Sequence, residues 1–192
     1  MPYRIYTTEG IILGKKNVGE ANQVLHIFTK DLGLIRAAVQ GVRNEKAKLK
    51  NHVQLFSWAQ VSCVRGKDSW RLTSATLLPE PYPNAVQSQL RLRHAYTDMT
   101  KLLRHFGVYD VPQPELYEAL CNVFLYDVYN PQTEKTMRLI VPLIILNTLG
   151  YLSREDALQA LGTSLEESFI NVAAHPKELK MIIEKTLSQV ST

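Results

Sequence analysis

The chain has 192 residues, of which 45% are hydrophobic, and it carries a formal net charge of +4. This length is long for one small barrel and short for two average domains, so it favours a small domain joined to a second one. Met1 to Gly10 is polar and aromatic, which predicts no secretory signal. The longest apolar run, Leu139 to Leu146, is far shorter than the roughly 20 residues of a membrane helix. We therefore expect a soluble, cytoplasmic protein with no membrane partner.

The two cysteines, Cys63 and Cys121, lie far apart, and neither belongs to a CxxC or Cys/His cluster. Their spacing gives metal binding no support. A disulfide between them stays open, but two free and mostly buried thiols are the favoured interpretation in a reducing cytosol. We expect no metal and no other cofactor.

The positive charge is concentrated in the N-terminal part of the chain. Residues 1–80 contain 12 lysines and arginines against 6 carboxylates, whereas residues 81–192 contain 10 against 12. The balance is therefore +6 in the first segment and −2 in the second. This asymmetry assigns contact with a polyanion to the N-terminal part.

Five strand-like runs occupy that N-terminal part, each with alternating apolar residues. Their predicted ranges are 9–16, 22–29, 34–40, 53–65 and 70–78, with turns at Val18-Gly19, Asp31-Leu32-Gly33 and Gly66-Lys67-Asp68. In the first run, Ile11 and Leu13 are predicted on one face and Ile12 on the other. Five strands in about 70 residues, bent by internal glycines such as Gly14, fit a closed barrel better than a flat sheet with open edges. By strand count, the best match is an OB-fold barrel over residues 1–80.

A helical pattern follows the proline-rich linker 79–83. Asn84 is predicted to cap a helix that Gly107 stops, and Pro114 is predicted to begin a second helix. Residues 133–149 are apolar nearly all round, which marks a central helix. Three more helices are predicted to open at Ser153, at the capping box Ser164 to Glu167, and at Pro176. The predicted fold is thus an α+β protein with two domains, in which a helical bundle over 81–192 follows the barrel.

Catalytic motifs are missing from the sequence. It contains no GxSxG, GxxxxGK[ST] or HExxH pattern, and its five histidines have no spacing that suggests a ligand set. A nuclease is disfavoured because no clustered carboxylates suggest a metal site. We therefore expect a protein that is not an enzyme.

A basic loop follows the third predicted strand. Between Arg36 and Lys50 the local charge balance is +4, since Glu45 is the only carboxylate in that stretch. A solvated loop is the ordinary fate of such a run. Further cations on or beside the strands favour contact with a nucleic-acid backbone instead. The predicted DNA-binding residues are Arg36, Arg43, Lys46, Lys48 and Lys50, widened by Lys15, Lys16, Arg65 and Lys67.

Five aromatic residues of the barrel segment have two interpretations. They are Tyr6, Phe28, Phe56, Trp58 and Trp70. Stacking on the bases of a single strand and packing in the core explain them equally well.

A set of short motifs resembles the RecO family of bacterial recombination mediators. The motifs are Thr8-Glu9-Gly10-Ile11-Ile12-Leu13, Gly19-Glu20-Ala21, Phe28-Thr29, Gly33 and Gly41-Val42-Arg43, in that order and spacing. The resemblance covers residues 1–80, and Leu149-Gly150-Tyr151-Leu152 extends it in general layout. It implies an N-terminal OB fold and a C-terminal helical domain, with Arg43 as the motif arginine and Lys46 and Lys48 continuing the basic loop.

The resemblance also implies a function in DNA repair and homologous recombination. Such proteins bind single- and double-stranded DNA, anneal complementary strands without ATP, and help to load RecA onto DNA coated with single-strand-binding protein, SSB. The implied partners are DNA, RecR and the C-terminal tail of SSB. An alternative is an adaptor whose barrel binds acidic protein tails without annealing DNA.

Two positions and one segment depart from the family pattern. Asn22 stands where an aspartate is common, and Ala47 stands where a serine is common in the basic loop. Many members carry a cysteine-rich zinc site after the segment that matches Leu149-Gly150. The stretch from Ser153 to Gly162 contains no cysteine, so we expect a zinc-free helical domain.

Overall fold

A computed structural model of the protein describes residues 4–44, 46–67 and 69–190. Glu45 of the basic loop and Asp68 of the last predicted turn lie outside the described residues. The five strands are β1 (Ile5–Val18), β2 (Asn22–Thr29), β3 (Gly33–Val39), β4 (Trp58–Arg65) and β5 (Trp70–Leu77). They close into a barrel in the order β1-β2-β3-β5-β4, with β3 and β5 parallel and the other pairs antiparallel. The predicted OB-type barrel is therefore confirmed.

Alternation along the strands separates two apolar surfaces. Ile12, Leu25, Ile27 and Ile35 fill the barrel interior and are fully buried. Ile11 lies on the opposite face of β1, as predicted. The pairing of β1 with β2 shifts between Ile12 and Gly14, so the strand carries a bulge at the predicted bending glycine.

The predicted strand over 53–65 is partly wrong, because β4 begins only at Trp58. Val53 is buried in the barrel interior, but the chain around it makes turns instead of a ladder. Phe56 has a positive φ of 65°, which no regular strand residue adopts. Its amide donates to the Ile12 carbonyl over 2.7 Å, and the Ile12 amide donates to the Ser57 carbonyl over 2.9 Å. The segment thus joins the barrel through isolated backbone hydrogen bonds before β4 begins.

Seven helices follow the barrel within the residues that the structure describes. They are α1 (Val86–Arg91), α2 (Arg93–His105), α3 (Pro114–Tyr129), α4 (Glu134–Thr148), α5 (Arg154–Leu161), α6 (Leu165–Ala174) and α7 (Pro176–Val190). Helix α4 packs against α2, α3, α5, α6 and α7, which confirms the predicted central helix. Ser153 and Ser164 cap α5 and α6 by accepting hydrogen bonds from Asp156 N and Glu167 N, as predicted. None of the helices within the described residues combines the length and apolarity needed to cross a membrane.

The first predicted helix is wrong in two respects. It is divided at Leu92, whose ψ of 12° leaves the helical range while its side chain is fully buried. Asn84 does not cap it, since Ala85 holds the N-cap position. The Asn84 side chain instead accepts from Trp58 N at 2.8 Å and donates to Trp58 O at 3.1 Å. An asparagine that resembles a cap therefore fastens the start of β4.

The barrel and the helices share one apolar core. Ile11, Phe28, Leu34 and Trp58 on the outer face of the barrel pack in the same cluster as residues of the helices. Trp58 Nε1 donates to the Tyr96 hydroxyl over 2.9 Å, and both side chains are fully buried. The helices therefore cover one part of the outer barrel face and leave the part nearer the β1–β2 turn open.

Candidate nucleic-acid interface

The basic loop between β3 and β4 has an apolar inner side and a cationic outer side. Val42 and Val53 are buried in the barrel interior, and the partly buried Leu49 packs against the same cluster. Leu49 belongs to a short 3₁₀ turn, Lys48–Asn51. The predicted cations of the loop are exposed, and they are Arg43, Lys46, Lys48 and Lys50. The apolar residues of the loop pack into the end of the barrel, and its cations lie on the outer side.

Arg43 also ties the loop to the turn between β1 and β2. Its Nη1 donates to the Gly19 carbonyl over 2.9 Å, and its backbone N donates to the Ala21 carbonyl over 3.1 Å. Gly41 N donates to the Asn22 side chain over 2.9 Å on the same side of the loop. The motif arginine therefore has a structural role in addition to its charge.

Lys15 and Lys50 meet at Gln54. Lys15 Nζ donates to Gln54 Oε1 over 3.1 Å, while Gln54 Nε2 donates to the Lys50 carbonyl. Burial lowers the pKa of Lys15 from its ordinary value of 10.5. Because this lysine is half-buried and bonded to Gln54, its ammonium group is less accessible to a ligand than those of the exposed loop lysines.

A second group of cations lies on the open outer face of the sheet. Pairing places Lys16 opposite Val24, Val24 opposite Ala38, and Ala38 opposite Arg71, so their side chains form one row across four strands. Lys16 and Arg71 are exposed at the two ends of this row. The structure thus places one β1 cation and one β5 cation at opposite ends of the same row, with Val24 and Ala38 between them.

The adjacent row contains Gly14, His26 and Arg36. Arg36 Cζ lies 5.7 Å from the centre of the Tyr109 ring, and the His26 ring lies 6.5 Å from it. Arg104 near the end of α2 borders the same row. Burial first, and then the charges of Arg104 and Arg36, lower the pKa of His26 below its ordinary 6.5. Two guanidinium groups therefore converge where the helices meet the sheet.

Arg65 is exposed but already paired. Its Nη1 lies 2.8 Å from Asp110 Oδ1, and its Cζ lies 4.8 Å from the Trp70 ring centre. The same Asp110 oxygen accepts from Trp70 Nε1 over 2.6 Å. Lys67, in the turn after Arg65, is exposed. Of these two predicted site residues, only Lys67 has a charge without an ion pair among the described residues.

Four of the five aromatic residues predicted as possible stacking platforms are core residues, and Tyr6 is half-buried. Phe28 and Trp58 are fully buried, and Phe56 and Trp70 are only 7% exposed. Phe56 stacks on Tyr96 with ring centres 4.7 Å apart. These four rings therefore have no free face for a base, and the stacking interpretation is wrong for them.

Sequence reasoning missed Arg71 and Arg104. Arg71 was not selected because the row that joins it to Lys16 depends on the register between strands, which cannot be read from the sequence. Arg104 was not selected because its position beside β1 follows from the docking of α2 on the barrel. Its position could be found only from tertiary contacts.

The described residues show no metal cluster: no group of three or more His, Cys, Asp or Glu side chains there is arranged to hold a metal ion. Cys63 and Cys121 are free and buried. Burial raises the pKa of the Cys63 thiol to about 12, so this sulfur stays protonated and unreactive at neutral pH.

The sequence was compared with known families and proteins. The model of a family described as "Recombination protein O N terminal" matches residues 1–79. The chain is 32% identical over 115 residues to the DNA repair protein RecO of Dehalococcoides mccartyi, covering 60% of this chain and 45% of the relative. The RecO protein of Gloeothece citriformis is 33% identical over 134 residues, 70% of this chain and 46% of the relative. The RecO protein of Desulfitobacterium hafniense is 26% identical over 151 residues, which cover 78% of this chain and 54% of the relative.

The chain spans about half the length of the curated relatives that it matches. The matched segment coincides with the barrel, and it contains the loop arginine Arg43 and the exposed outer row. Residues 1–79, which form the barrel, therefore belong to the RecO N-terminal domain family.

Proposed function

We propose that this protein acts in DNA repair and recombination as a non-catalytic mediator that holds DNA by its phosphate backbone. The observation that carries the proposal is the set of exposed cations without ion pairs among the described residues. These cations surround the basic loop and the open outer face of β1, β2, β3 and β5. In OB folds, the face of strands 2 and 3 and the loops beside it are the usual place for an oligonucleotide.

The mechanism is electrostatic. Phosphates that lie along Arg36, Arg43, Lys46, Lys48 and Lys50 release their condensed counterions. Neutralised backbones repel one another less, which favours pairing of two complementary strands without nucleotide hydrolysis. The cationic groups contact phosphates rather than bases, so we expect weak sequence preference.

Salt dependence tests the electrostatic mechanism. With four to six phosphates engaged, log affinity for a single strand should fall with log salt at a slope of roughly −3 to −4, which is about −0.7 per contact. Fluorescence anisotropy with a labelled oligonucleotide measures this slope. A flat response would refute the mechanism.

A triple variant tests the loop itself. Changing Arg43, Lys46 and Lys48 to Ala should weaken binding for all sequences alike and reduce the salt slope by about 2. The matched control removes three positive charges from α7 by changing Lys177, Lys180 and Lys185 to Ala, and it should retain the native slope. Equal losses in the two variants would show that only total charge matters.

The finer roles follow the family resemblance. We propose annealing of complementary strands and assistance in loading RecA onto SSB-coated DNA, with RecR and the SSB tail as partners. An annealing assay with two labelled complementary strands, with and without SSB, tests these roles directly. Incubation of DNA with Mg²⁺ and the protein should leave the strands intact, as a non-catalytic protein requires.

A second candidate, a protein-interaction adaptor, is favoured by a groove between α2, α4 and α7. The groove has a volume of about 890 Å³, and Leu139, Pro142 and Ile183 contribute to its apolar lining. Its rim carries three lysines without an ion pair among the described residues, namely Lys101, Lys135 and Lys177. An apolar lining with a cationic rim suits an acidic protein tail with an apolar anchor.

This groove lies among the helices and not on the barrel, where the adaptor hypothesis placed the polypeptide. A labelled acidic peptide distinguishes the candidates. The peptide and an oligonucleotide should bind together if the groove and the barrel serve different ligands. If the protein binds the peptide but no oligonucleotide, only the adaptor function is supported. The change Lys135→Glu should lower the affinity for the peptide and leave the affinity for DNA unchanged.

A further inference from the structure

Five residues from separate elements meet at the border between the open sheet face and the helical part. They are Gly14 of β1, His26 of β2, Arg36 of β3, Arg104 of α2, and Tyr109 in the segment after α2. We propose that they form a subsite for one backbone phosphate of a nucleic acid. The inference rests on the proposed function. It locates the point at which a bound strand would leave the barrel and reach α2.

Two positive charges converge at this border without a carboxylate to balance them. Arg36 and Arg104 have no ion pair among the described residues, and each charge lowers the pKa of His26. Like charges brought together in this way are unfavourable until an anion lies between them. Both guanidinium groups present several N–H donors, which suit the oxygens of a phosphate.

His26 supplies a neutral donor to the same place. Its Nδ1 is buried and has no hydrogen-bond partner among the described residues. A buried N–H without an acceptor costs about 1–3 kcal/mol, so the proton of the neutral ring belongs on Nε2. At neutral pH the half-buried ring therefore offers its Nε2–H to an incoming oxygen, and Nδ1 is the nitrogen that can take up a further proton.

Gly14 lets Arg104 and His26 approach the same point of the sheet. A Cβ atom at this position would lie 3.4 Å from Arg104 Nη2 and 3.4 Å from His26 Cδ2. Any larger side chain would occupy the space between the arginine and the histidine. On the far side, Tyr109 holds Arg36 by a cation–π contact at 5.7 Å, which limits where that guanidinium can move.

Phosphate binding should couple to proton uptake at His26. The charged groups that face the ring are Arg36 on β3 and Arg104 on α2, and burial adds to their effect. A bound phosphate would offset both charges and raise the histidine pKa again. Because His26 is then protonated to a greater extent in the bound protein than in the free protein, the affinity for the nucleic acid should increase as the pH falls below about 6.5.

The principal test compares Arg104→Gln with Arg154→Gln in oligonucleotide anisotropy. Arg154 is an exposed arginine at the start of α5, a helix that packs on α4 and α6. Its substitution therefore removes one positive charge at a position away from the proposed subsite. We expect Arg104→Gln to lower affinity about threefold to tenfold and to reduce the salt slope by about 0.7, and Arg154→Gln to leave both unchanged. Equal effects of the two changes would overturn the subsite.

A second measurement uses the native protein, so it does not depend on how a variant folds. The C2–H signal of His26 in proton NMR, assigned by its loss in His26→Gln, is titrated with pH alone, with a short oligonucleotide, and with inorganic phosphate. A higher pKa with the oligonucleotide supports the subsite. An effect of inorganic phosphate only would show a free-phosphate site and overturn the assignment to nucleic acid.

The two proposals fail in different ways. If the native protein binds no oligonucleotide at all, the proposed function is overturned. If it binds with a steep salt slope while the His26 signal and the Arg104→Gln affinity do not change, only the subsite is overturned.

Discussion

The hydrogen bond between Trp58 and Tyr96 joins the barrel to the helices, and removing it should lower stability measurably. Tyr96→Phe deletes the hydroxyl and leaves the fully buried Trp58 Nε1–H without an acceptor. The ring itself stays in place, since it stacks on Phe56 at 4.7 Å and on Phe124 at 4.5 Å. No cavity of more than one oxygen atom is created, so the loss of the hydrogen bond dominates.

An unsatisfied buried donor costs about 1–3 kcal/mol. For a chain of this size, each kcal/mol shifts the melting temperature by about 2–4 °C, so Tyr96→Phe should lower it by roughly 2–12 °C. Tyr129→Phe is the matched control, because it makes the same chemical change on a side chain that is 70% exposed. That variant should stay within about 0.5 kcal/mol of the native protein.

Urea unfolding offers two independent readings of this prediction. Both tryptophans, Trp58 and Trp70, lie in barrel strands, so their fluorescence reports on the barrel. Circular dichroism at 222 nm reports mainly on the helices. The shared core predicts one transition by both probes, with the midpoint lowered equally in Tyr96→Phe. An unchanged midpoint, or two separate transitions in the native protein, would refute the reasoning.

Three further predictions concern single positions. Gly33→Ala should destabilise the fold by more than about 1 kcal/mol in urea unfolding, because Gly33 has a φ of 72° and an added Cβ would lie 2.1 Å from the Val111 carbonyl oxygen; native-like stability would contradict this. Arg65→Ala should change oligonucleotide affinity less than twofold by anisotropy, because Asp110 already neutralises that guanidinium; a loss as large as that of the loop variant would show that the pair opens. Since the pKa of His26 is lowered in the folded state, the unfolded state binds more proton between that pKa and about 6.5, so urea midpoints should fall on acidification from pH 7 to 5.5. The His26→Gln variant should lose that part of the pH dependence, and an identical dependence in both proteins would exclude the histidine as its source.

Strand alternation made the barrel predictable. The residues of β2 were placed from Asn22 to Thr29 by sequence, and those are its bounds in the structure. Ile11 and Ile12 were assigned to opposite faces of β1 and pack in different clusters. Period-2 burial is a local property of the sequence, so these features needed no knowledge of tertiary contacts.

The errors arose where tertiary contacts override local patterns. Asn84 looks like a helix cap, but the backbone of Trp58 offers it a donor and an acceptor at once. Val53 has the alternation of a strand residue, yet it fills the end of the barrel from a turn. In both cases the deciding partner lies more than 20 residues away or across the barrel, which a reading of neighbouring residues does not include.

The candidate site was predictable only in part. Charge counting found the loop cations Arg43, Lys46 and Lys48, because they are close together in sequence. It missed Arg71 and Arg104, which reach the same face through strand register and through the docking of α2. It also could not show that Arg65 is neutralised by Asp110, since those residues are 45 positions apart.

The helices that cover the outer face at Ile11, Phe28 and Leu34 set a limit on the length of DNA that the open face could hold. The open face runs from Gly14 to Val18 along β1, about 14 Å, and across four strands, which is also about 14 Å. A patch of this size holds only about as many nucleotides as the lower limit of the roughly 4–16 that one OB fold engages. Oligonucleotides longer than this patch would continue beyond it, along the basic loop at one side or past Arg104 at the other, so a plot of affinity against oligonucleotide length should rise in separate steps.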